Sequence, residues 1–168
     1  MNFGGKARSI ARERAAGQLG KALTVSGGWT PAGVGARGSP RLGMGMALHG
    51  NDLDDTTTPL EASLGWLVKM KKGEFVGRKA LEKQKAEGLK RKLVGFTTAE
   101  RSFPRHGYPV FAKGKPSGEV RSGTLSPTLG IQIGTAYVPP DSAAEGSEVE
   151  TGVRGTRMPA AGKKPPWC

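Results

Sequence analysis

Acidic residues are scarce in this chain. Fourteen Asp and Glu stand against 26 Lys and Arg, a formal net charge of +12 over 168 residues. Such an imbalance favours a polyanionic partner, because Lys and Arg release condensed counterions when they neutralise phosphates. Cysteine is nearly absent. Cys168 alone allows neither an internal disulfide nor a cysteine-based zinc site, and a reducing, intracellular setting is the simpler expectation. Five Phe, three Trp and two Tyr are a thin aromatic supply. No apolar run reaches the roughly 18 residues that a membrane-spanning helix needs, so no span is expected.

What is plentiful is punctuation. With 27 glycines and 12 prolines, short elements and many turns are expected rather than long helices. Residues 1–34 form a basic leader, with five basic residues and Glu13 as the lone acid. Its apolar stripe is weak, and its Arg-rich character fits an organellar transit peptide or a poorly packed helix remnant. Over residues 35–55, Arg37 and Arg41 lie four apart, but Pro40 between them argues for a loop or frayed turn.

The run "SLGWLVKM" reads as a short buried strand with Leu64, Trp66 and Val68 on one side. "FVGRKALEKQKAEG" reads as a helix ended by Gly88, packed through Phe75, Val76, Ala80 and Leu81. After Gly88 the texture changes. "KRKLVGFT", "YPVFA", "GEVRSGT", "IQIGTAYV" and "SEVETGV" are β-rich segments separated by turns such as "KGKPSG", the pattern of a small barrel or sandwich.

Chemical signatures are few. His49 and His106 lack metal-ligand spacing, so no metal site is expected. "NDLDD" lacks the glycine and distal glutamate of a calcium loop and reads as solvated acids or a helix N-cap. There is no G-x-S-x-G elbow, and "GVGARG" has no strand-turn-helix frame around it. From Lys69 to Lys92 ten basic residues stand against three acidic ones. RNA contact is one reading. A solvated helix face, with Glu87 pairing to Arg91, is the plainer one, since stacking aromatics are scarce after Phe75.

Several long blocks carry more information than any of these. "GARGSPRLGMGMALHGNDLDDTTTPLEASLGWLVKMKKGEFVGRKALEKQKAEGLKRKLVGF", "RHGYPVF", "GEVRSGTLSPTLG" and "IGTAYVPP", in this order, resemble the C-terminal half of the glycine cleavage T-protein family, the aminomethyltransferases. The resemblance runs from about Gly33 onward. It implies an α+β fragment followed by a mainly β C-terminal barrel of jelly-roll type. Residues 35–88 would be a remnant of the folate-cavity domain, and residues 89–168 the barrel. It implies aminomethyl transfer from the lipoyl arm of an H-protein to tetrahydrofolate, with H-protein as partner and a second chain supplying the missing N-terminal half. The expected location is cytoplasmic, or the mitochondrial matrix in a eukaryote. Nucleic acid and membrane are not expected partners.

The resemblance also has gaps. The family's catalytic aspartate has no counterpart here, so no catalytic residue is assigned and inactivity of the chain alone is expected. In the family block G-A-R-D-x-x-R-L-E this chain keeps Arg37 and Arg41 but carries Gly38 and Gly43 in place of the two acids, and His49 replaces a usual tyrosine. Arg37, which lines the folate cavity by resemblance, is the single candidate ligand contact. Loss of the acids implies unpaired arginines and a loosened site, at about 3–5 kcal/mol for a buried one. Two other readings stand beside this one: a barrel module that docks protein or RNA, and a folate-domain relative of the sarcosine and dimethylglycine dehydrogenases. In the family frame Trp66 reads as core and its neighbouring lysines as a solvated face, while open apolar surface near Trp66 and Leu64 predicts self-association.

Overall fold

A computed structural model describes residues 13–33, 35–99, 103–153 and 155–167. Two compact units divide the chain, residues 1–34 and 35–168. In the first, α1 (Glu13–Lys21) runs into a π-helical turn, Ala22–Ser26, where the Gly27 N–H reaches the Ala22 carbonyl at 3.0 Å. Only Leu19 and Leu23 of its described side chains are even half-buried.

The second unit is built on six antiparallel strands. They are β1 (Lys92–Thr98), β2 (Pro109–Ala112), β3 (Lys115–Leu125), β4 (Gln132–Val138), β5 (Glu148–Val153) and β6 (Thr156–Gly162). Their order around a closed barrel is β1-β4-β3-β2-β5-β6. The meander β2-β3-β4 returns beside β1, which is Greek-key connectivity. Lys113 and Gly114, with φ of 52° and 75°, make the tight turn between β2 and β3, as hairpins with two left-handed central residues require. Phe96, Val110, Val120, Ala136 and Val138 fill the interior with no solvent exposure. Phe96 fits because Gly134 lies directly across the ladder, where any Cβ would strike its ring.

Strand β4 is buried along its whole length. Side chains alternate across a strand, so such a strand must be covered on both faces. Gly134, Ala136 and Val138 face the barrel core, while Ile133, Thr135 and Tyr137 point outward beneath the segment that precedes the barrel. Helix α2 (Gly35–Gly43) opens that segment, and its Leu42 packs against Ile133 and Trp167. The Trp167 N–H donates to the Gly43 carbonyl at 2.9 Å. Farther on, α3 (Arg78–Glu87) stops at Gly88, whose φ of +85° suits glycine alone.

Three sequence expectations fail here. The 35–55 stretch is not a loop at its start: α2 forms with Pro40 inside it, because tertiary contacts at Leu42 and Arg41 outweigh poor propensity. "SLGWLVKM" is not a buried strand. Ser63 takes a left-handed φ of 60°, and Gly65–Leu67 and Met70–Lys72 form 3₁₀ turns. Helix α3 buries none of its residues, and Val76, outside it, is fully exposed. Strand β6 was invisible in the sequence, since "TRMPAAG" has one β-branched residue and a proline.

Candidate functional site

The aspartates of "NDLDD" divide sharply by environment. Asp52 is wholly buried. Its Oδ2 accepts from the Leu48 N–H at 2.8 Å, from Ser122 Oγ at 2.8 Å and from Arg41 Nη1 at 3.1 Å. Thr135 Oγ1 donates to its other oxygen, and the Tyr137 hydroxyl donates to its backbone carbonyl at 2.8 Å. Ser122 and Thr135 are direct ladder partners on β3 and β4. A cross-strand pair of hydroxyls therefore presents two donors to one carboxylate. A buried carboxylate is tolerable only when its lone pairs are satisfied in this way.

Asp54 is held differently. Its Oδ1 accepts from the Thr56 hydroxyl and N–H, at 2.7 and 2.9 Å, and from the Thr57 hydroxyl at 2.7 Å. Arg121 reaches its Oδ2 at 3.0 Å. These hydroxyl and amide donors, helped by the Arg121 charge, lower its carboxyl from the ordinary 3.8 to about 2. Arg121 can reach because the β3 register slips between Val120 and Ser122, and such a bulge re-aims the extra side chain.

Tyr137 lies between two guanidiniums. Arg91 stands 4.7 Å from its ring centroid and Arg121 5.6 Å, while burial pushes its phenol above the usual range. Arg91 also pairs with Glu61 at 3.6 Å, not with Glu87, which pairs with Lys83. Glu61 and Thr58 cap one another reciprocally, each backbone N–H reaching the other side chain at 3.3 Å. "TPLE" thus makes a capping-box arrangement on a hydrogen-bonded turn, a signal the sequence carried in plain view. The Leu93 N–H donates to the Glu61 carbonyl at 2.7 Å, and Ser63 Oγ to the Leu93 carbonyl at 2.7 Å, so this turn is fastened to β1.

Beside that fastening lies a groove of about 1060 Å³. Met44, Met46, Leu64, Trp66, Leu81 and Leu93 contribute apolar wall, and Lys85, Lys92, Lys163 and Lys164 contribute charge. Trp66 is 69% exposed, and Met46 59%. The expectation that Trp66 is core is therefore wrong: the 3₁₀ turn holds its indole out into the groove. Apolar surface near Trp66 is open, as expected.

Arg37 is exposed on α2, one turn before Arg41, and is not among the groove-lining residues. The arginine pair does not behave as its missing acids imply. Arg41 is not orphaned, because Asp52, eleven residues on, pairs with it. His49 lies 3.9 Å from Asp55 on the surface. The reading of "NDLDD" as solvated acids or a helix N-cap fails at Asp52, which is buried because Ser122, Thr135 and Arg41 satisfy its oxygens, and sequence reading missed Ser122 and Thr135 altogether.

Residues 91–167 match the glycine cleavage T-protein C-terminal barrel domain, and residues 10–72 match the GCVT N-terminal domain. The chain belongs to the glycine cleavage T-protein family. It is 52% identical over 83% of its length to an aminomethyltransferase of Nostoc and 49% identical over 91% to one of Bacteroides thetaiotaomicron. Those matches span 38% and 44% of the two relatives, so the chain covers less than half of the proteins it resembles. Its fold superposes on the crystal structure of glycine cleavage system aminomethyltransferase T from Bartonella henselae with a TM-score of 0.83, at 33% identity. That match covers 92% of this chain and 44% of the other.

Proposed function

We propose that this T-protein family chain supplies the C-terminal wall of a tetrahydrofolate site and the barrel that supports it, in an enzyme moving an aminomethyl group from a lipoyl-bearing H-protein to tetrahydrofolate. The observation that carries the reading is the groove. An exposed indole and methionines suit a flat heteroaromatic ring system, and four lysines suit the carboxylates of a glutamyl tail. Arg37, on the helix that runs into the Met44–Met46 wall, is the proposed further ligand contact.

Chemistry needs residues beyond these. Asp52 and Asp54 have their oxygens engaged by hydroxyls, amides and arginines, so neither is free to orient a folate amine. On this reading the 168-residue chain binds and positions but does not catalyse unaided. Reconstitution tests this. The chain is mixed with the separately produced N-terminal part of the Nostoc aminomethyltransferase, and methylenetetrahydrofolate formation from aminomethylated H-protein is followed. Activity in the mixture and in neither component is expected. Turnover by the chain alone, or an inactive mixture of two folded components under conditions where the intact Nostoc enzyme works, contradicts the reading.

A further inference from the structure

Helix α2 is poorly suited to hold itself together. Three of its nine residues are glycine and a fourth is Pro40. Glycine disfavours a helix relative to alanine and an interior proline does so far more, so its orientation must come from tertiary tethers. Four are on hand: Leu42 in its apolar nest, the Trp167 backbone N–H on the Gly43 carbonyl, Ser39 Oγ at 3.5 Å from Thr124 Oγ1, and the Arg41 fork, the one that carries charge. Arg41 Nη1 donates to Asp52 and to the Met46 carbonyl at 2.8 Å, and Nη2 donates to Ser122 Oγ at 3.2 Å. Residues four apart share a helical face, so the rotation that seats Arg41 also sets the direction of Arg37.

We infer that Asp52 is a positioning residue for the anionic ligand of Arg37: buried against the outer face of β3 and β4, it fixes Arg41, and through α2 it aims the Arg37 guanidinium. This rests on the folate reading of Arg37 given above. Asp52 touches no ligand. It acts because a carboxylate backed by Ser122, Thr135 and the Leu48 N–H cannot swing, whereas an acid carried on α2 itself would move with the helix.

A double-mutant cycle on the full 168-residue chain tests this, with tetrahydrofolate as titrant and circular dichroism as the folding control. In the unmodified chain Arg37→Ala weakens binding by about tenfold, the scale of a charge-assisted hydrogen bond. In an Asp52→Asn background the same change costs about twofold or less, because Arg37 is no longer aimed. Arg41→Lys, which keeps the charge but loses the fork, gives the same loss of Arg37 dependence and decides the question if Asp52→Asn does not fold. An Arg37→Ala penalty that persists undiminished in these backgrounds overturns the inference alone. No Arg37→Ala effect in the unmodified chain overturns the ligand role of Arg37, and this inference with it.

Discussion

Arg41 and Asp52 form a 3.1 Å ion pair whose carboxylate has no exposure to solvent. It joins the helix that precedes the barrel to the outer face of β3 and β4, where Ser122 and Thr135 complete the carboxylate's hydrogen bonds. Removing one member of such a pair leaves the other charge uncompensated. Asp52→Ala is therefore expected to destabilise the chain by about 3 kcal/mol, the lower end for buried pairs because Arg41 retains some water contact. Urea unfolding measures it, and a loss below about 1 kcal/mol would mean that the pair does not hold α2 to the barrel.

Glycines divide into two kinds that substitution separates. At Gly134 a Cβ meets the Phe96 ring inside the barrel, so Gly134→Ala should cost about 1–3 kcal/mol through overpacking. At Gly38, on α2, nothing lies within 4 Å of the added carbon. Gly38→Ala should stabilise by about 0.5–1 kcal/mol through helix propensity. Thermal melts of the two variants should shift in opposite directions.

Acid sensitivity has a named source at Asp54. Its folded-state carboxyl sits at about 2, below the ordinary 3.8, so its stabilisation is present above the unfolded value and is lost as pH falls from about 4 toward 2. Asp54→Asn should flatten the stability curve in that window while leaving its slope near neutrality unchanged. Tyr137 works at the other end. Its raised phenol pKa means that the unfolded state ionises first, so stability declines as pH rises past about 10.

Two tryptophans should respond in opposite ways to truncation. Trp66, largely exposed, is expected to lose little stability as alanine, within about 0.5 kcal/mol. Trp167, 5% exposed against Leu42 and Ile133, should cost about 3–5 kcal/mol. A large stability loss at Trp66 would return it to the core role that the sequence suggested.

Much of the barrel was legible because its strands obey local rules. β-Branched and aromatic runs between glycine-rich turns mark β1 to β5, but the turn expected over "KGKPSG" narrows to Lys113 and Gly114, since β3 begins at Lys115. β6 was not, since its place is set by pairing with β5 and not by its own composition. The helical state of α2 and the exposure of Trp66 were likewise hidden, the first by Pro40 and the second by an apolar alternation that a left-handed Ser63 interrupts. Asp52 shows the deepest limit. In sequence it is one acid in "NDLDD"; its role comes from Ser122 and Thr135, 70 and 83 residues away, which only the barrel's register brings together.

The groove at Trp66 and the arginine on α2 meet in one measurement. Titrating the folded chain with tetrahydrofolate by calorimetry should give a saturable heat that Trp66→Ala diminishes and Arg37→Ala weakens by about tenfold, as for one lost charge-assisted contact. A folded chain that gives no saturable heat, or a heat that neither substitution changes, would contradict the account.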